Sequence, residues 1–319
     1  MSRGSIMRLH ENKEVFKEVI GATAAKLNFE EFQIEKDYYV SLLLKKLVEV
    51  SPEIVFKGGT SLSKCYNAID RFSEDIDINI NFDQRANMGE KKAFKLSVLR
   101  AIEEVGFKLL NDEVNPPIET RSGRDFNMYL AGYNKEFVSE SAMVDHIIVE
   151  TNVSYRAFPC EVLNVSNYVT KYLSSENELE LITNYELNPF EMNVQTIDRT
   201  FIDKLFAVCD YYEDKISDRY SRHLYDIHMI WQQNLVQLEQ LRVIVPDIIE
   251  IRKPGRNTHS CKVGYRVLES LRQVIDTEFY KEDFEKNTKE FLSVEVSYDE
   301  VITSLEEIIN SELLPQTIR

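Results

Sequence analysis

Two stretches near the start of the chain repeat apolar residues at three- and four-residue steps: residues 10–27, and residues 32–50, where Ile34, Tyr38, Leu42, Leu43 and Leu47 recur. That spacing predicts two amphipathic helices packed on a sheet. The period then changes. Ile54-Val55-Phe56 is a short apolar run, and Gly58-Gly59 after it lets the backbone approach a neighbour closely before Thr60 or Ser61 caps a further helix. Asp75-Ile76-Asp77-Ile78-Asn79-Ile80 alternates strictly between polar and apolar, so a strand is expected with both aspartates on one face. Gly89 to Gly106 reads as a helix with Ala93, Leu96, Leu99 and Ile102 on one side, and Asp112 to Arg124, with Pro116-Pro117, as a loop. Phe126–Leu130 and Met143–Val153 read as strands separated by Gly132 and polar residues. Short extended pieces around Glu161–Val165 and Phe190–Thr196 precede a helix that Asp198 caps and that runs through Tyr212. From Asn234 to Arg319 the pattern is helical, broken at Pro254-Gly255 and at Asn287, which predicts a helical bundle.

Composition narrows the class. The 319 residues suffice for two domains, and 43% hydrophobic with 29% charged residues is the balance of a soluble globular chain. Residues 1–20 carry Arg3, Arg8, Glu11, Lys13 and Glu14 without an apolar run, and no segment reaches the length of a membrane span, so a cytoplasmic protein without membrane partners is expected. Cys65, Cys160, Cys209 and Cys261 lie far apart with no Cys-x-x-Cys pair, which argues against both a zinc site and a disulfide framework. His223 and His228 miss the four-residue spacing of a helical metal pair. A net charge of −16 disfavours nucleic acid over the surface at large, so an RNA or DNA partner has to be met by a local basic patch.

The densest candidate chemistry lies between residues 57 and 77. A strand that breaks at glycines into a helix start is suited to phosphate. Asp75 and Asp77, about 6.6 Å apart along one strand face, can converge on a hard cation such as Mg²⁺. Each fragment alone has an ordinary reading, as a turn or as a half-solvated strand. Together and in this order they resemble the DNA polymerase β-like nucleotidyltransferases. More narrowly, Phe56-Lys57-Gly58-Gly59-Thr60-Ser61-Leu62-Ser63-Lys64 with Arg71-Phe72-Ser73-Glu74-Asp75-Ile76-Asp77 is similar to the AbiEii/AbiGii toxin family.

The resemblance implies an α/β (α+β) fold: a polymerase β-like core with a mixed sheet and covering helices over residues 1–197, and a helical bundle over 198–319 closing an NTP cleft. It implies transfer of NMP from an NTP to an acceptor hydroxyl, with Mg²⁺ (or Mn²⁺) held by Asp75 and Asp77. RNA, tRNA above all, is the implied acceptor, and the chain is the implied toxin of a toxin–antitoxin or phage-defence (abortive infection) pair with a separately encoded antitoxin. Val149-Glu150-Thr151-Asn152 resembles the strand that carries the third carboxylate, which makes Glu150 the metal and catalytic choice. Asp145 is an odd number of residues away, and the sequence leaves open which face turns inward. Lys57, Gly58, Gly59, Thr60, Ser61 and Ser73 are the implied nucleotide-binding residues. Arg199-Thr200-Phe201-Ile202-Asp203-Lys204 resembles a family segment whose lysine meets nucleotide phosphates, and Arg222-His223-Leu224-Tyr225-Asp226 one whose aspartate belongs to the active site; a solvated helical lysine is the plain alternative for Lys204. Glu35-Lys36-Asp37 also matches the family, but at a helix start the ordinary reading is a solvated face.

Two further readings stay open. Arg252, Lys253, Arg256, Lys262 and Arg266 form a basic run that is either a solvated helix face or a wall for RNA phosphates. The same metal-binding carboxylates suit a phosphotransferase, and a noncatalytic nucleotide-binding protein is a third class, disfavoured by the intact Asp-x-Asp.

Overall fold

The computed structural model describes residues 7–81, 86–138, 144–154 and 156–319. Arg3 and Met143, named above, lie outside them. The chain forms two compact units. The first runs to Cys65 and adds Glu74–Val153 and Glu161–Val194; the second consists of Tyr66–Ser73, Ser154–Cys160 and Gln195–Arg319. Two short segments of the N-terminal half thus belong to the second unit.

In the first unit the helices α1 (Lys13–Leu27) and α2 (Glu31–Val50) pack on each other, and α2 also packs on α4 (Met88–Val105) and α5 (Tyr168–Ser175). Phe16 meets Tyr38 edge-on at 5.3 Å, and Tyr39 lies 4.4 Å from Tyr133, so an aromatic cluster carries much of this packing. The mixed sheet is ordered β3-β4-β5-β2-β1-β7-β6. Its strands are β1 (Ile54–Lys57), β2 (Ile76–Ile80), β3 (Lys108–Leu109), β4 (Phe126–Gly132), β5 (Ile147–Asn152), β6 (Cys160–Val165) and β7 (Phe190–Gln195). β1 pairs antiparallel with β2 and parallel with β7, while β2 pairs parallel with β5. Phe56, Ile76, Ile78 and Val149 are fully buried, which fixes the register because a one-residue slip would turn them all over.

The second unit is helical. α7 (Ile197–Glu213) is its central helix, burying Phe201, Leu205, Phe206 and Val208 and packing on α8 (Arg222–Gln232), α9 (Leu238–Arg252) and α10 (Val267–Asp276). α11 (Lys281–Lys286) and α12 (Tyr298–Asn310) complete the bundle. The N-cap of α7 is Thr196, whose hydroxyl accepts from the Arg199 N–H, and not Asp198, which sits in the first turn. Residues 66–73 join this unit through the Phe72 N–H on the Phe291 carbonyl and the Ser293 N–H on the Asp70 carbonyl. Among the described residues no helix is long and apolar enough to cross a membrane, and the four cysteines form no disulfide.

Candidate active site

The site in the first unit is built around one close approach. β1 runs directly into Gly58, whose φ of +80° is a conformation that L side chains rarely adopt. A Cβ added there would lie 2.1 Å from the Oδ2 of Asp77, so the aspartate carboxylate occupies the space that glycine leaves. The helix starts at Gly58 itself: the single turn α3 (Gly58–Ser61) continues as a wider turn over Leu62–Tyr66. Thr60 and Ser61 therefore do not cap it. Both are buried; the Thr60 hydroxyl donates to the Asp75 carbonyl at 2.5 Å, fastening the turn to the residue that leads into β2, and that of Ser61 donates to the Gly58 carbonyl at 2.8 Å within the turn. Gly58→Ala combines a strained φ with a steric conflict against Asp77. It is expected to lower transfer activity at least about tenfold, the cost of a roughly ångström-scale misplacement of a reacting group. A wild-type rate in this variant would show that Asp77 need not sit where the turn puts it.

Register assembles the carboxylates. Lys57 pairs with Asp77 across β1–β2, and Asp77 pairs with Glu150 across β2–β5, so the three point to one face in a row spaced about 4.8 Å strand to strand. Asp75 and Asp77 are half-buried, as is Glu150. Asp145 precedes β5 and bonds Lys135 at 2.5 Å, an ion pair that holds its carboxyl below the usual carboxylate range. Among the described residues no three carboxylate, imidazole or thiol groups close into a metal cage. The donor set still fits a hard divalent cation: Mg²⁺ is bound through one or two carboxylates completed by substrate phosphates and water, and Asp77 stands in a cradle that a Cβ would fill.

Sequence reading missed what supports this row. Glu35, Lys36 and Asp37 of α2 are buried, not solvated. Glu35 accepts from the backbone N–H groups of Glu136 and Phe137, and burial raises its pKa. Lys36 pairs with Glu74, the residue before Asp75, and Asp37 pairs with Lys64, just beyond α3, and accepts from the Tyr168 N–H at 2.8 Å. Three successive residues thus pin four separate segments, two of them next to the motif. The available sequence signal was the alternation of charge sign in an otherwise apolar helix. A cavity of about 170 Å³ in this unit, lined by Tyr38, Ser41 and Lys45 among others, contains none of the candidate residues.

The remaining candidates belong to the second unit. Asp226 is fully buried. Arg71 grips it with two parallel bonds of 2.7 and 2.8 Å, and Lys204 adds one of 2.7 Å. Burial opposes its charge, but the two cations win and hold its carboxyl well below the usual range. Burial lowers the Lys204 pKa, opposed by Asp226. Lys204 and Asp226 are therefore brought together, with Asp226 as the group that orients Lys204. Ser73 is buried in the segment that carries Arg71.

The basic run divides on inspection. Arg252 is turned inward, bonding Asp203 at 2.9 Å and Asp210 at 2.7 Å, because α7 presents two acids to it. It is buried in the bundle by these pairs. Lys262 donates to the carbonyls of Lys253 and Gly255, and Lys253 pairs with Glu250. Arg256 and Arg266 are exposed, the latter bonding Glu269 at 3.0 Å.

The architecture is similar to the solved structure of MenT4, a nucleotidyltransferase toxin from Mycobacterium tuberculosis H37Rv, with a TM-score of 0.52 and 17% identity over 92% of this chain and 88% of that one. At that identity the likeness is one of fold. No curated protein matches the sequence. The family described as nucleotidyl transferase AbiEii toxin, type IV TA system, matches residues 42–308, which include the Gly-Gly turn, the carboxylate row, and the Lys204 and Asp226 pair. With most of its length matched, the chain belongs to this family of nucleotidyltransferase toxins of type IV toxin–antitoxin systems.

Proposed function

We propose that this enzyme transfers NMP from an NTP to a hydroxyl of RNA, with tRNA as the acceptor class, as the toxin of an abortive-infection pair restrained by a separately encoded antitoxin. The observation that carries the reading is the row of Asp77 and Glu150 beside Gly58, with Asp75 two residues before Asp77. Asp75, Asp77 and Glu150 would hold Mg²⁺ or Mn²⁺, which when bound supplies charge stabilisation to the transferring phosphoryl group and acidifies the attacking hydroxyl. Gly58 and Gly59 leave the backbone open to phosphate. Lys57, in the same row, is the phosphate-binding cation of the first unit; Lys204, held in one orientation by Asp226, is a phosphate-binding cation of the second. Thr60 and Ser61 serve by fixing the motif from inside the fold. Arg256 and Arg266, with Lys253 and Lys262 beside them, are the surface on which RNA phosphates would rest; such binding should weaken steeply with salt.

The test is to incubate the purified protein with Mg²⁺, NTPs and total RNA, and to measure the mass of the RNA fractions. A tRNA fraction heavier by one or more nucleotides is expected. Modification confined to another RNA class would remove tRNA from the account, and no mass change in any RNA would remove RNA as the acceptor.

A further inference from the structure

The second unit carries an aromatic stack that the chemistry above does not use. Tyr211 of α7 and Tyr220, in the turn before α8, lie with ring centroids 3.5 Å apart and planes 21° from parallel. His223 flanks them at 5.8 and 5.9 Å in nearly the same orientation. All three rings are half-buried, so part of the stack faces solvent.

The turn that holds Tyr220 is fixed more firmly than a half-exposed ring requires. Arg219 has a φ of +67°, a left-handed backbone unfavourable for arginine. On either side of Tyr220, the buried Asp283 carboxylate accepts the N–H of Arg219 at 2.7 Å and that of Ser221 at 2.9 Å. The Ser221 hydroxyl bonds that of Thr288 at 2.7 Å. These bonds hold the turn, and with it the Tyr220 backbone, in one conformation.

His223 adds a polar handle. The Lys204 ammonium lies 3.4 Å from Nδ1, and an ammonium only donates, so Nδ1 accepts and the ring proton resides on Nε2. Burial, and after it the Lys204 charge, push the His223 pKa well below its ordinary value, which keeps the ring neutral. Its Nε2–H has no acceptor among the described residues.

We infer that the outer face of Tyr220, backed by Tyr211 and edged by His223 Nε2–H, is the platform on which the base of the incoming NTP stacks. The inference rests on the reading of Lys204 as a phosphate contact, since Lys204 touches the same His223: one nucleotide can lay its phosphates by the lysine and its base on the rings. A platform stacked in advance loses little freedom when the base arrives, and base–aromatic stacking tolerates any base, leaving the Nε2–H to favour bases with an acceptor at that edge.

The experiment measures binding of nonhydrolysable NTP analogues, and separately of inorganic tripolyphosphate, to the wild type, Tyr220→Ala and Tyr220→Phe, with Mg²⁺ and without RNA. Tyr220→Ala should weaken analogue binding about tenfold or more, leave tripolyphosphate binding unchanged and melt like the wild type. Tyr220→Phe should bind as the wild type does. Equal analogue affinity in Tyr220→Ala and wild type overturns the platform, and equal losses for analogue and tripolyphosphate do the same by showing a general disturbance. Unaltered analogue affinity with weakened RNA binding would assign the stack to the acceptor and overturn it too. Labelling of RNA by the same wild-type preparation separates the failures: transfer with an unaffected Tyr220→Ala overturns the platform alone, whereas a wild type that binds no NTP overturns the transfer reading as well.

Discussion

Asp77→Asn is expected to reduce nucleotide transfer by about a hundredfold to a thousandfold or more, with the melting curve unchanged. The amide has nearly the size of the carboxylate, so it fits the space beside Gly58 that an added Cβ would fill. What it loses is the negative charge that a divalent cation requires. Asp75→Asn should behave in the same way, because Asp75 directly precedes β2, two residues before Asp77. Asp77 is half-buried, and its cross-strand partners are Lys57 and Glu150. Removing its charge therefore leaves no buried cation stranded in the core, which is why stability should survive. A variant that transfers nucleotide at the wild-type rate would show that the carboxylate row is not the metal site.

Asp226→Asn should differ from this in costing a large part of the stability along with transfer. Arg71 and Lys204 are both buried against this one carboxylate. Neutralising it leaves two buried cations without a counter-charge from that carboxylate, and breaking a buried pair of this kind costs about 3–5 kcal/mol. The sign of the pH dependence follows from the depressed carboxyl pKa. The contribution of Asp226 is complete above the unfolded-state value of about 3.9 and is lost as pH falls below that toward the folded value. The gap in melting temperature between wild type and variant should thus be wide at neutral pH and narrow steadily as the solution is acidified below about pH 4. A variant that melts with the wild type at pH 7 would mean that Arg71 and Lys204 do not depend on Asp226.

The motif was legible because its parts are local. Two glycines after an apolar run, and a strict alternation around Asp75 and Asp77, are read directly from neighbouring positions, and the structure shows the strand, turn and strand there. The same holds for the long helices α1, α2 and α4, whose expected bounds differ from the observed ones by only a few residues. The short elements escaped. β3 has two exposed residues, Lys108 and Leu109, and α6 (Leu179–Asn184) spans fewer than two turns, so neither is long enough to show a period.

Charged residues were the harder case. Arg252 in a basic run reads as a solvated cation until Asp203 and Asp210, more than forty positions earlier, are seen to face it. Lys36 and Asp37 read as an exposed helix start until Glu74 and Lys64 are brought to them. Pairing across the fold leaves no trace in periodicity, so a sequence shows that such groups are charged but not whether the charge faces water. Thr60 and Ser61 fit the cap pattern for a related reason: residue type allows a cap, but only the conformation of Gly58 determines where the helix begins.

Position-specific labelling tests the central reading most directly. Purified protein, Mg²⁺ and total RNA are incubated in parallel with NTP carrying ³²P at the α or the γ phosphorus. Nucleotidyl transfer predicts RNA labelled from the α position only, with pyrophosphate released and the signal absent in Asp77→Asn. RNA labelled from the γ position and not from α would contradict it, because the carboxylate row would then be moving a phosphoryl group and not a nucleotide.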